Sequence, residues 1–208
     1  MILTRRLLII IIIISTFVSC GFKELNNLNI YNSSKNKIEN PYFSNNKIDY
    51  NYIVKIEKNN KKINGIISIK KLDSIYHRIV FMSGFGYKLF DIEVSRNNFK
   101  WKSINAEIDK KYFKKLLRDN ITNLIYGNNK IKFAYKKNNR LIYKSKEERK
   151  EIFYLLDTTN TLIEIYNINK GFKKRFISFN KIQNNIATNI KIQNFNPSIT
   201  IHLEFLNN

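Results

Sequence analysis

Hydrophobic and polar residues alternate with a period of two through most of this 208-residue chain. The clearest run is near the C-terminus. In SITIHLEFL, Ile199, Ile201, Leu203 and Phe205 fall on one face and Thr200, His202 and Glu204 on the other, as in a half-buried strand. YKLFDIEV sets Phe90, Ile92 and Val94 against Asp91 and Glu93, and YNYIVKIE places Tyr50, Tyr52, Val54 and Ile56 together. INGIISIK, HRIVFM, KIKFAY, RLIY, IFYLL, TLIEIY, FKKRFISF and NIKIQNF are further strand candidates. Between them stand EKNNKK, SRNN, KKNNR, DTTN and NINKG, rich in residues that accept turn dihedrals. Strands recurring about every 8 to 12 residues between such signals predict an antiparallel barrel or sandwich.

One segment has a different period. In DKKYFKKLLRDNITNLIYG, Phe113, Leu116, Leu117, Ile121 and Leu124 recur at three- and four-residue spacing. The spacing predicts one amphipathic helix, with Asp109 as N-cap and Gly127 just past its end. A helix with a single apolar face must cover an apolar surface, so on an open, curved sheet it serves as a lid or plug.

The N-terminus follows neither pattern. Arg5 and Arg6 precede the mostly apolar run Leu7–Val18, and the small Ser19 follows it. This is the layout of a secretory signal, and the run is short of the roughly 20 apolar residues of a membrane span. Cys20 comes next and is the chain's single cysteine, so no internal disulfide can form and stability must come from a packed core. FVSC, Phe17 to Cys20, resembles the bacterial lipobox, with Phe17 where Leu is usual. That resemblance implies cleavage before Cys20 and acylation of its thiol. Buried acyl chain contributes about 0.8 kcal/mol per CH₂, so several chains hold firmly where one is marginal. The stretch after Cys20 is rich in Asn, Ser and Lys without a sustained period. The predicted division is therefore residues 1–19 as signal peptide, 20–48 as lipidated cysteine and flexible tether, and 49–208 as one folded domain large enough to bury a core.

Net charge is +21, from 37 Lys and Arg against 16 Asp and Glu. Ile, Asn and Lys, which can be encoded with A and T alone, supply 97 of the 208 residues. The lysines are spread through every segment. Without a clustered patch or a recognition motif the charge reads as a solvated surface, and nucleic acid is not an expected partner. Near anionic headgroups each lysine still contributes about 1 kcal/mol. Candidate chemistry is sparse. His77 and His202 lie far apart with no Cys or carboxylate company, so no metal site is expected. There is no Gly-rich phosphate loop and no Ser/His/Asp arrangement, and KEERKE, Lys146 to Glu151, reads as a solvated charge cluster. No catalytic residue and no cofactor is assigned.

The order of elements, with the segment HRIVFMSGFGYKLFDIEVSRNNFKWKSINAEIDKKYFKKLL from His77 to Leu117, resembles the LolA/LolB-like family of outer-membrane lipoprotein receptors. The shared features are Arg78 opening an apolar strand, the MSGFG loop from Met82 to Gly86, the strand Lys88 to Val94, and the helix after Asp109. The resemblance implies a mainly β fold, an antiparallel open (incomplete) β-barrel with one covering or plug helix, around an apolar cavity that binds acyl chains. Phe85 falls at the family's protruding, membrane-inserting position. Gly84 and Gly86 flank it, and Gly84 stands where the family carries a proline-like stiffener. The residues alone leave Phe85 two places, the loop tip or the core. Candidate cavity-lining residues are Phe90, Ile92, Val94, Trp101, Phe113 and Leu117, although the inward face of each strand is not fixed by the sequence. The implied partners are outer-membrane lipid, acylated lipoprotein cargo and a periplasmic LolA-like carrier. The implied location is the outer membrane, lipid-anchored and facing the periplasm, with surface display as the alternative. Two rivals remain open: a structural or surface-displayed lipoprotein of the same fold with a filled core, and a lipoprotein enzyme.

Overall fold

Along the computed structural model, which describes residues 25, 27–126, 129–147 and 150–206, the chain is mainly β-strand. The strands are β1 (Asn29–Ile30), β2 (Lys37–Ile38), β3 (Asp49–Lys58), β4 (Lys61–Lys71), β5 (His77–Ser83), β6 (Lys88–Val94) and β7 (Phe99–Ile104). The helix α1 (Lys111–Ile125) follows. Then come β8 (Asn129–Lys130), β9 (Phe133–Lys137), β10 (Arg140–Glu147), β11 (Lys150–Leu156), β12 (Leu162–Asn169), β13 (Phe172–Gln183), β14 (Ile186–Phe195) and β15 (Ser198–Phe205). Thirteen strands form one antiparallel sheet in the order β1-β9-β10-β11-β12-β13-β14-β15-β3-β4-β5-β6-β7, and β2 pairs β8 separately. The C-terminal strand β15 pairs β3, Leu203 opposite Val54, which joins the two halves of the chain into a single sheet. The β7 and β1 edges stay apart, so the predicted antiparallel barrel is open.

The asparagine content has a direct use in this sheet. At Asn59–Asn60, Asn138–Asn139 and Asn184–Asn185 both residues have positive φ. Two-residue hairpin turns of the primed type need that backbone, and Asn tolerates it at little steric cost. These pairs join β3 to β4, β9 to β10 and β13 to β14. Gly65 meets a different requirement. A Cβ there would run into the Met82 carbonyl and approach the Phe81 ring to 2.6 Å. The missing side chain lets the β4–β5 pair carry that ring flat across the backbone.

The alternating strands bury the faces their pattern marks. Tyr50, Tyr52 and Val54 of β3, Phe90, Ile92 and Val94 of β6, and Leu203 of β15 all belong to the main core. Helix α1 covers this core with Ile121, Leu124 and Ile125, while Phe113, Leu116 and Leu117 in its first half are only half-buried. The N-cap is Lys110 rather than Asp109, and it makes no side-chain cap; Asp109 instead forms an ion pair with Lys114. Gly127 lies outside the described residues.

The tether boundary at residue 48 needs correction. Ile38, Tyr42 and Phe43 are 1%, 0% and 2% exposed and belong to the main core. The Tyr42 ring packs 4.6 Å from Phe179, and the Phe43 ring lies 5.4 Å from Tyr50. A sheet that does not close leaves its concave face open between the edges, and this segment, together with α1, fills it. Burial of two aromatic rings and an Ile outweighs the polar composition of the surrounding residues.

Candidate functional site

Two features of the predicted site can be placed: a tip at one end of the β5–β6 hairpin, and the interior between sheet and helix.

The tip is built by backbone hydrogen bonds. Ser83 N–H donates to the Tyr87 carbonyl at 2.8 Å, Gly86 N–H to the Ser83 carbonyl at 2.9 Å, and Gly84 N–H to the Asn64 carbonyl of β4 at 2.9 Å. Gly86 has φ +83°, a conformation L side chains rarely adopt; Gly84 does not, and a Cβ there would meet nothing closer than 3.6 Å. Of the two glycines that flank Phe85, only Gly86 has positive φ. Phe85 projects from this turn with 90% of its surface exposed, and Tyr87 with 71%. Of the two places open to Phe85, it occupies the loop tip. Ile63, next to Asn64, is half exposed, and Lys61, Lys62 and Lys88 adjoin these residues in the chain. Arg78 bridges the two strands of the hairpin. Its guanidinium grips Asp91 with two bonds, Nε to Oδ1 at 3.1 Å and Nη2 to Oδ2 at 2.8 Å, and keeps that carboxyl below its ordinary pKa.

The interior is packed. Phe90, Ile92 and Val94 are buried, and Trp101 and Leu117 pack half-buried against the same core. Phe90 and Trp101 stack edge to face, with ring centroids 6.4 Å apart. Phe113 is half-buried on the first half of α1. Five of the six candidate cavity residues thus border one interior, Phe113 not being among the residues packed against it, and the same core holds Ile38, Tyr42 and Phe43, which sequence reasoning missed. The signal for them was the adjacent aromatic pair in PYF, inside an otherwise polar stretch.

Polar bonds tie this segment in place. Asn40 Nδ2 donates to the Leu124 carbonyl of α1, and Tyr42 Oη donates to the Leu162 carbonyl of β12. His77 of β5 holds the far end. Its Nε2 lies 2.9 Å from the Phe43 carbonyl, which can only accept, so Nε2 carries the hydrogen. Nδ1 faces Tyr126 Oη at 3.1 Å, and Tyr126 also reaches the Val94 carbonyl at 2.7 Å. Burial pushes the Tyr42 and Tyr126 hydroxyls well above their usual range, so both remain neutral donors.

Burial also lowers the His77 pKa below its ordinary 6.5, an effect that outweighs its bond to Phe43. The unfolded chain then binds a proton more readily than the folded one, so stability falls as pH drops below about 6.5. We expect the unfolding midpoint to decline between neutral pH and about pH 5, and the decline to flatten in His77→Gln. Equal slopes in the two proteins would remove His77 as the source. The depressed Asp91 and Asp157 act in the same direction, but only near and below their ordinary 3.8.

His202 lies on the outer face of the sheet, in a shallow groove of about 460 Å³ with Lys55, Lys191 and Glu204. No group of three or more His, Cys, Asp or Glu side chains able to hold a metal occurs among the described residues. Cys20 and the predicted signal peptide lie outside the described residues.

No family model matches the chain. A tyrosine–tRNA ligase of Wigglesworthia glossinidia brevipalpis is 32% identical over 157 residues, which cover 67% of this chain and 37% of that protein. The chain thus spans little more than a third of the length of the curated relative it matches. Two solved structures share its outline. One is an outer membrane lipoprotein-sorting protein domain from Vibrio parahaemolyticus, at TM-score 0.47 and 9% identity, covering 76% of this chain and 83% of that one. The other is a DUF1329 family protein from Desulfovibrio piger, at TM-score 0.44 and 10% identity, covering 76% and 82%. At these scores the likeness assigns no activity, substrate or partner.

Proposed function

We propose that the protein is an envelope lipoprotein, attached through Cys20 to the outer membrane and facing the periplasm, that binds acyl chains of lipoprotein cargo between its curved sheet and α1. The observation that carries this reading is the Phe85 tip, an aromatic ring 90% exposed on a hydrogen-bonded turn with lysines beside it. Such a ring gains free energy by leaving water for lipid, and it brings the open sheet to a membrane surface. Cargo acyl chains leave water for the same reason, so a carrier needs only an apolar site and no covalent chemistry or cofactor. In this reading the segment 37–43 occupies the acyl site until cargo displaces it, and a periplasmic LolA-like carrier delivers that cargo.

A second reading is favoured by a specific observation. Ile38, Tyr42 and Phe43 fill the interior at 2% exposure or less, as expected of a structural or surface-displayed lipoprotein of this fold. A fluorescent fatty acid titrated into the purified full chain separates the two. The carrier reading expects saturable binding that strengthens in Phe43→Ala, where the site is partly vacated. Absence of saturable binding in both proteins would leave the structural reading in its place.

A further inference from the structure

A row of polar side chains crosses the inward face of the sheet at the end where β6 runs into β7. Asn167 of β12 stands opposite Arg175 of β13, and Arg175 opposite Asn194 of β14. Their exposures are 8%, 2% and 2%. Arg175 donates through Nε to Asn194 Oδ1 at 2.9 Å and through Nη1 to the Asp119 carbonyl of α1 at 2.9 Å. Among the described residues no carboxylate forms an ion pair with it. Burial pulls its pKa down to about 10, with Asp119 opposing the shift. A buried cation without an ion pair is costly unless something supplies the missing charge.

The neighbouring amides are also incomplete. Asn167 Nδ2 and Oδ1, Asn194 Nδ2 and Asn120 Oδ1 are buried without a hydrogen-bond partner. Buried amides are nearly always satisfied, and Asn167 and Asn194 both flank Arg175, so this place points to a polar ligand. Arg175 and Asn167 line a cleft of about 690 Å³ between α1 and the sheet. The cleft's lining includes Arg96, Lys115, Arg118, Lys150 and Lys174 besides Arg175, against the carboxylates Asp119 and Glu151. Glu151 is already paired with Lys144 at 2.8 Å. The cleft therefore carries an excess of positive charge around donors aimed inward, and its volume suits a small organic ligand.

We infer that this cleft binds the phosphate group of a small ligand, with Arg175 and the Nδ2 group of Asn167 as donors. The oxygens of a tetrahedral oxyanion accept from a guanidinium and an amide N–H together, and the charge-assisted bonds are stronger than those to a neutral acceptor. The phosphate can belong to a soluble molecule or to a lipid headgroup. The cleft lies at the end of β6 away from the Phe85 tip, so this inference does not rest on the membrane reading.

The test titrates the purified full chain with inorganic phosphate, at ionic strength matched by chloride, and follows binding by calorimetry and thermal unfolding. Saturable binding and a rise in unfolding midpoint are expected. Loss of the charge-assisted bonds in Arg175→Met should weaken binding about tenfold or more. Asn167→Leu, which keeps Arg175, provides the second variant if Arg175→Met fails to fold. A parallel arm uses phosphatidylglycerol vesicles against phosphatidylcholine vesicles. Arg175-dependent binding to free phosphate assigns a soluble ligand, and Arg175-dependent binding to the anionic vesicles alone assigns a headgroup. No saturable binding in either arm, or binding unchanged in both variants, would overturn the inference. Phe85→Glu should leave phosphate binding intact, so failure of the membrane reading is separable from failure of this one.

Discussion

Truncating Phe43 to Ala is expected to lower the stability of the folded chain by about 3–5 kcal/mol, the usual loss for a buried Phe. Its side chain is 2% exposed and contacts Tyr50 and Tyr52, with ring centroids at 5.4 and 6.3 Å. Its backbone carbonyl accepts the His77 bond, which the side-chain truncation leaves in place, so the expected loss is one of packing. A chain of this size shifts its melting midpoint by roughly 2–4 °C per kcal/mol, which puts the effect on the order of 10 °C. If residues 20–48 were a free tether, the same substitution would change stability by less than about 0.5 kcal/mol. Urea unfolding of wild type and Phe43→Ala distinguishes the outcomes. A loss below that level would return the segment to the tether.

Phe85 should behave in the opposite way. With its ring 90% exposed, Phe85→Ala is expected to leave stability within about 0.5 kcal/mol of wild type. Phe85→Glu should fold equally well and fail at a membrane. Burying a Phe ring in lipid contributes about 1.5–3 kcal/mol, and a carboxylate at the same point opposes entry. In a Cys20→Ser background, which removes the proposed acyl anchor, Phe85→Glu should weaken vesicle association at least about tenfold. Cosedimentation with vesicles containing anionic lipid measures it. Unchanged association would end the insertion role of the loop, whatever becomes of the acyl site.

The strands were legible because alternation is a local property. Phe90, Ile92 and Val94 occupy the buried face that their spacing marks, and Tyr50, Tyr52 and Val54 do the same on β3. The helix was legible for the same reason, since five apolar residues at three- and four-residue spacing leave few other options. Its cap was misplaced by one residue because Asp109 is committed to Lys114 rather than to a free backbone N–H. The tip also followed from local chemistry, as Gly86 marks the one turn position there that needs positive φ. Whether Phe85 would point outward was not local, because a ring beside a turn can fold back onto any neighbouring strand.

By itself the sequence determined the strand content, the single amphipathic helix and the Asn-paired turns at Asn59–Asn60 and Asn138–Asn139. All of these depend on neighbours within a few positions, where steric and periodic rules act directly. The tertiary structure alone decided that β15 would pair β3 and leave the sheet open between β7 and β1. It alone drew Ile38, Tyr42 and Phe43 out of a polar stretch into the main core, against β3, β12 and β13. It alone set Asn167, Arg175 and Asn194 side by side on three adjacent strands. Each of these depends on which distant surfaces must be removed from water together, and the burial that decides it exists only once the sheet has curved around its core.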